Sequence, residues 1–96
     1  MIREDEQIVL GTWLRGDRLE LVDLFDEEDF TSYKRLFRSM QSRHKDGLGF
    51  DAIELSKSSG VERITILKLI GMSVMDAYHW TSSILKTQFL IQYFLN

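Results

Sequence analysis

Tyr33, Leu36, Phe37 and Met40 stand at i, i+3, i+4 and i+7. That spacing puts four large apolar side chains on one face of a helix, and a chain carrying it must bury that face. The same stretch, from Leu24 to Ser56, holds the acidic turn Asp26 to Asp29 between Phe25 and Phe30. An aromatic ring is therefore expected to enter the core on either side of a turn that stays in water. With no proline in 96 residues and few clustered β-branched residues, an all-α chain follows. The expected architecture is a compact bundle of about five short helices over residues 1–71, followed over 72–96 by a long C-terminal helix or helical hairpin.

Residues 4–15 predict the first helix. Val9/Trp13 and Leu10/Leu14 are i, i+4 pairs, and Glu4, Asp5 and Glu6 suit the positive end of its dipole. Gly16 closes it. Gly11, in its middle, predicts close approach by another helix, since glycine there costs about 1 kcal/mol against alanine. Asp17 is the expected N-cap of a short second helix using Leu21, Val22, Leu24 and Phe25. The third helix should start near Thr31 or Ser32 and end before Gly47. Asp51, three residues before Glu54, reads as a capping box for the fourth, with Phe50 and Leu55 as a hydrophobic staple; that helix ends at Ser58-Ser59-Gly60. Val61 to Ile70 predicts a fifth helix with Val61, Ile64, Leu67 and either Leu69 or Ile70 inward, stopped by Gly71. From Ser73 to about Leu95 the chain is apolar on every side of a helix, and only Asp76 and Lys86 are charged between Leu69 and Asn96. Such a segment is buried or lies at an interface.

The chain has no cysteine, which excludes a disulfide scaffold, thiol chemistry and Cys-based zinc sites and fits a cytoplasmic protein. Its acidic N-terminus lacks the apolar run of a secretory signal, and no uncharged apolar run is long enough for a membrane span. His44 and His79 lie far apart, with Asp76 the nearest acid to His79 at i, i+3, so no metal site is expected. Neither a G-x-S-x-G elbow nor a G-x-x-x-x-G-K-[ST] phosphate loop occurs. No catalytic residue and no cofactor are expected, and no enzymatic activity is encoded in this chain by itself.

Charge is unevenly spread over a chain of net charge −3. Asp17, Glu20, Asp23, Asp26, Glu27, Glu28 and Asp29 face only Arg18, whereas Lys34, Arg35, Arg38, Arg43 and Lys45 follow without an acid among them. The basic block is a candidate face for an acidic partner or for passing DNA, set against the simpler reading of two solvated faces. Leu55 to Leu69 also has the outline of a helix-turn-helix around Gly60, with Thr65-Ile66 and Leu69 packing inward. In that register Arg63 and Lys68 would read DNA, beside Glu62, Ile64 and Leu67, which make a poor groove surface. Candidate self-association residues are Tyr78, Trp80, Ile84, Leu85, Phe89, Tyr93 and Phe94.

Taken as one string, Glu6-Gln7-x-Val9-Leu10-Gly11, Leu24-Phe25, Glu28-Asp29-Phe30, Leu36-Phe37-x-x-Met40 and Phe50-Asp51-x-x-x-Leu55-Ser56 resemble the N-terminal domain of bacterial replicative DNA helicases of the DnaB type. The resemblance covers a little over half of the chain. It implies a helical bundle followed by a hairpin. In that family the hairpins pair subunits into a collar, and the collar region engages primase or helicase loaders. The helicase-binding domain of primase is similar in fold, but the Glu-Gln-x-Val-Leu-Gly opening favours the helicase side. Implied partners are therefore the chain itself, as a dimer or larger, and a replicative helicase, primase or loader, with DNA contact secondary and no membrane. Two departures stand out: Gly60 to Gly71 is compact where the family has a longer segment, and no nucleotide-hydrolysing ring domain follows. An excised domain, or a small stand-alone protein of phage or plasmid origin, is expected.

Overall fold

The computed structural model describes residues 3–71. All regular structure among them is helical. Arg3–Leu14 forms α1, Lys34–Lys45 forms α2 and Ala52–Ser59 forms α3, and residues 63–71 form α4. Two short 3-10 segments, Leu19–Leu24 and Glu27–Asp29, link α1 to α2. The expected C-terminal helix or hairpin, with all seven candidate self-association residues, lies outside the described residues.

The core sits where the sequence periodicity directs it. Leu36, Phe37 and Met40 of α2 are completely buried, and Tyr33 is nearly so. Burying each such side chain is worth roughly 1.5–3 kcal/mol, which is why α2 packs against α3 and both 3-10 segments. From α1 come Val9, Leu10 and Trp13, and Gly11 is buried beside them. Phe25 and Phe30 both turn inward, while Asp26 and Glu28 between them remain exposed. Trp13 is the hub of the aromatic cluster. Its ring lies 5.0 Å from Phe25 in an edge-on arrangement, 6.3 Å from Phe30 and 6.0 Å from Phe37. Phe30 and Phe37 stack at 4.4 Å.

Several boundaries differ from the sequence expectation, each for a local physical reason. The second element is a 3-10 helix whose entry residue is Arg18, in the left-handed region at φ 56°, with no side-chain cap. Asp17 instead donates its amide to the Thr12 carbonyl at 3.1 Å. Its carboxylate lies 3.8 Å from Arg15. Three residues per turn rotates the side chains differently from an α-helix, so Val22 is buried while Leu24 is 61% exposed. Asp26 and Asp29 close the second 3-10 turn, the Asp29 carboxylate accepting the Asp26 amide at 2.9 Å.

Helix α2 starts at Lys34, and the amides just before it are held by a side chain of α1. Glu6 is completely buried. Its Oε1 accepts the backbone N–H groups of Thr31 at 2.9 Å, Ser32 at 3.0 Å and Tyr33 at 3.0 Å, and its Oε2 lies 3.3 Å from the Ser32 amide. Next to it, the Gln7 side-chain amide donates to the Tyr33 hydroxyl at 3.0 Å. A buried carboxylate is tolerated only when its oxygens are satisfied; here it bolts the first turn of α1 to the entrance of α2. Its role is thus long-range, not the dipole interaction expected from its place in α1. In the same turn, burial and then the neighbouring Glu4 charge raise the Asp5 carboxyl above its ordinary value.

The fourth expected helix is realised as α3. Asp51 Oδ1 accepts the amides of Ile53 at 2.8 Å and Glu54 at 3.1 Å, and Phe50 packs half-buried against the core that holds Leu55. Glu54 does not complete the box; its carboxylate lies 3.8 Å from Lys57. Helix α3 ends at Gly60, at φ 76°, whose amide reaches the Ser56 carbonyl at 3.0 Å. A side chain there would find room, the nearest atom being Arg35 Nη1 at 3.7 Å. The left-handed backbone alone therefore requires glycine. Gly60→Ala is expected to cost about 1–2 kcal/mol, read as a lower urea midpoint at unchanged slope. A wild-type midpoint would mean that the turn reforms with a different backbone.

Candidate functional site

Helix α2 presents the basic block, and the structure sorts its members. Arg38 Nε donates to Glu27 Oε2 at 2.8 Å, and Lys34 Nζ lies 3.5 Å from Glu28. The acidic turn thus folds back onto the basic helix, and two of the five cations are matched within the molecule. Arg43 Nε donates to the Gly49 carbonyl at 2.6 Å, tying α2 to the loop that leads to α3. Arg35 and Lys45 are exposed. His44, half-buried, lies 3.8 Å from the Asp23 carboxylate. The hydrogen bond from Arg38 holds the Glu27 carboxyl below its ordinary range, and the same bond raises the Arg38 guanidinium. Because the folded value of Glu27 is depressed, this pair stabilises at neutral pH and is lost as the pH falls through that value. Exposure to water keeps the contribution small.

Between α2 and α3 runs an open cleft of about 340 Å³ lined by Arg38, Ser39, Ser42, Arg43, Glu54 and Ser58. The α2 members fall at i, i+1, i+4 and i+5, and Glu54 and Ser58 at i, i+4 of α3, so the cleft is the seam where the two helices face each other. Only Arg38 and Arg43 belong to the expected basic face. Ser39, Ser42, Ser58 and Glu54 join it because α3 folds against α2, and their only sequence signal is their spacing.

At and just before helix α4, the inward face expected for Val61 to Ile70 holds at Leu69 and, half-buried, at Val61, but is corrected at Ile64 and Leu67. Ile66 and Leu69 are buried, whereas Ile64 is 54% and Leu67 49% exposed. The turn before it is braced by Ser59, whose hydroxyl donates to the Leu55 carbonyl at 2.6 Å and accepts the Val61 amide at 3.1 Å. This is the register of the helix-turn-helix reading, with Arg63 and Lys68 exposed beside Glu62, Ile64 and Leu67. Among the described residues no group of three His, Cys, Asp or Glu side chains is placed to hold a metal ion, and no helix is long and apolar enough to cross a membrane. No family model, curated protein or solved structure matches the chain.

Proposed function

We propose that this chain is a protein-interaction domain of the DNA replication machinery, non-enzymatic by itself and similar to the N-terminal collar domain of DnaB-type helicases. It acts in the cytoplasm by self-association through residues 72–96, as a helix or hairpin, and by binding helicase, primase or a loader. One observation carries the reading. The residues of the resemblance that hold the bundle do so as a set: Glu6 and Gln7 join α1 to the entrance of α2, Val9, Leu10, Phe30, Leu36, Phe37, Met40 and Leu55 fill the core, and Asp51 caps α3. The reading rests on these residues of the chain itself.

A second reading, a DNA-binding regulator using residues 51–70, is favoured by the register of α4, which leaves Arg63 and Lys68 exposed. The acid and the two aliphatics on the same surface weigh against base readout.

Solution mass by light scattering tests the first reading. The full chain is expected to be a dimer or larger, and a variant carrying Phe89→Ser and Tyr93→Ser a folded monomer. A monomer for both at high micromolar concentration would remove the collar-like assembly. Salt-dependent DNA binding lost on Arg63→Ala with Lys68→Ala would put the second reading ahead.

A further inference from the structure

The cleft between α2 and α3 has the chemistry of a site for isolated carboxylates. Arg38 and Arg43 are each anchored through Nε, to Glu27 at 2.8 Å and to the Gly49 carbonyl at 2.6 Å. A guanidinium carries five N–H donors, so the terminal nitrogens of both remain for a ligand while the heads are already held. Pre-ordering of this kind lowers the entropy lost on binding. The Ser39 and Ser42 hydroxyls also line the cleft and make no side-chain hydrogen bond among the described residues. Serines within a helix commonly turn back to the i−4 carbonyl; these two keep their donors for the cleft.

We infer that the α2–α3 cleft binds a short acidic segment of a partner protein, its carboxylates meeting Arg38 and Arg43 and the serine hydroxyls, and its N–H or hydroxyl groups meeting Glu54. A short peptide fits this lining better than a nucleic acid. Glu54 lies in the lining and Glu27 sits on Arg38, so the positive charge is discontinuous. A peptide can space its carboxylates to meet Arg38 and Arg43 and pass Glu54 with neutral residues or backbone amides, whereas a phosphate backbone carries a charge at every nucleotide. The inference rests on the interaction-domain reading and deepens it by giving it a contact surface built from α2 and α3.

The test is fluorescence anisotropy with a labelled peptide of about ten residues, half of them Asp or Glu, against its Asn/Gln counterpart and a thymidine oligonucleotide. Binding of the acidic peptide alone is expected, weakening as salt rises. Arg38→Gln with Arg43→Gln should weaken it about tenfold or more. Lys45→Gln, which removes a charge from the same helix outside the cleft, should change it by less than about twofold. Equal losses in the two variants would mean diffuse attraction to a basic helix and overturn the site. So would tighter binding of the oligonucleotide, or no peptide binding at millimolar concentration. Circular dichroism of each variant guards against unfolding. The light-scattering mass of the same samples reports on self-association independently, so failure of the cleft and failure of the collar-like reading are distinguishable.

Discussion

Glu6→Ala is expected to lower the unfolding free energy by on the order of 3 kcal/mol, because it strands backbone donors that fold around the carboxylate. Three amides, those of Thr31, Ser32 and Tyr33, converge on Glu6 Oε1 within 3.0 Å, and alanine offers none of them an acceptor. A domain of this size has a total stability of about 5–15 kcal/mol, so the loss is a large fraction of the whole. Glu6→Gln keeps one carbonyl oxygen but turns donors toward donors and removes the charge assistance, and an intermediate loss is expected. Denaturant unfolding measures both. Hydrogen exchange at residues 31–33 locates the effect, with faster exchange there at denaturant concentrations too low for global unfolding. An alanine variant within about 1 kcal/mol of wild type would show that water replaces the carboxylate and that the long-range clamp is dispensable.

Trp13→Ala is the second large effect, at about 3–5 kcal/mol. The indole is almost fully buried and contacts Phe25, Phe30 and Phe37, three rings from three different parts of the chain. Removing it leaves a void bounded by elements that cannot close independently. Trp13→Phe should recover part of the loss, since a smaller ring still supports the edge-on contact with Phe25. Urea midpoints for the three proteins give the ranking, and near-ultraviolet circular dichroism reports whether the remaining aromatic cluster stays ordered. If alanine costs no more than phenylalanine, the cluster is not centred on this residue.

These two residues illustrate how far a linear reading reaches. Trp13 was placeable from its i, i+4 partner Val9, because helical periodicity reports which face is apolar. Glu6 was legible as one of three acids in a first turn and as the first letter of the Glu-Gln-x-Val-Leu-Gly opening, but not as a clamp. Its partners stand 25 to 27 residues away, and no periodic rule links a carboxylate to amides across that separation. The candidate cleft divides in the same way. Arg38 and Arg43 were visible as members of a basic block, but Glu54 and Ser58 join them only through the packing of α3 on α2.

Helix α4 shows why periodicity can fail even where a helix is correctly expected. Ile64 and Leu67 stand at i, i+3, and so do Ile66 and Leu69. Hydrophobic spacing cannot choose between two aliphatic faces, and contact with the core selects Ile66 and Leu69. The acidic turn follows the same logic: Phe25 and Phe30 foretold that it would be looped out into water, whereas its pairing with Lys34 and Arg38 required knowing where α2 would lie.

By itself, then, the sequence determined the helical class, the cap at Asp51, the stop at Gly60 and the inward aromatics on both sides of the acidic turn. Each follows from neighbours within about one helical turn, where backbone geometry leaves few choices. Only the tertiary structure decided where α2 begins, which face of α4 is buried and which cations are already matched by Glu27 and Glu28. Those outcomes depend on contacts between segments distant in the chain, whose energies exceed local preferences but leave no periodic trace in the sequence.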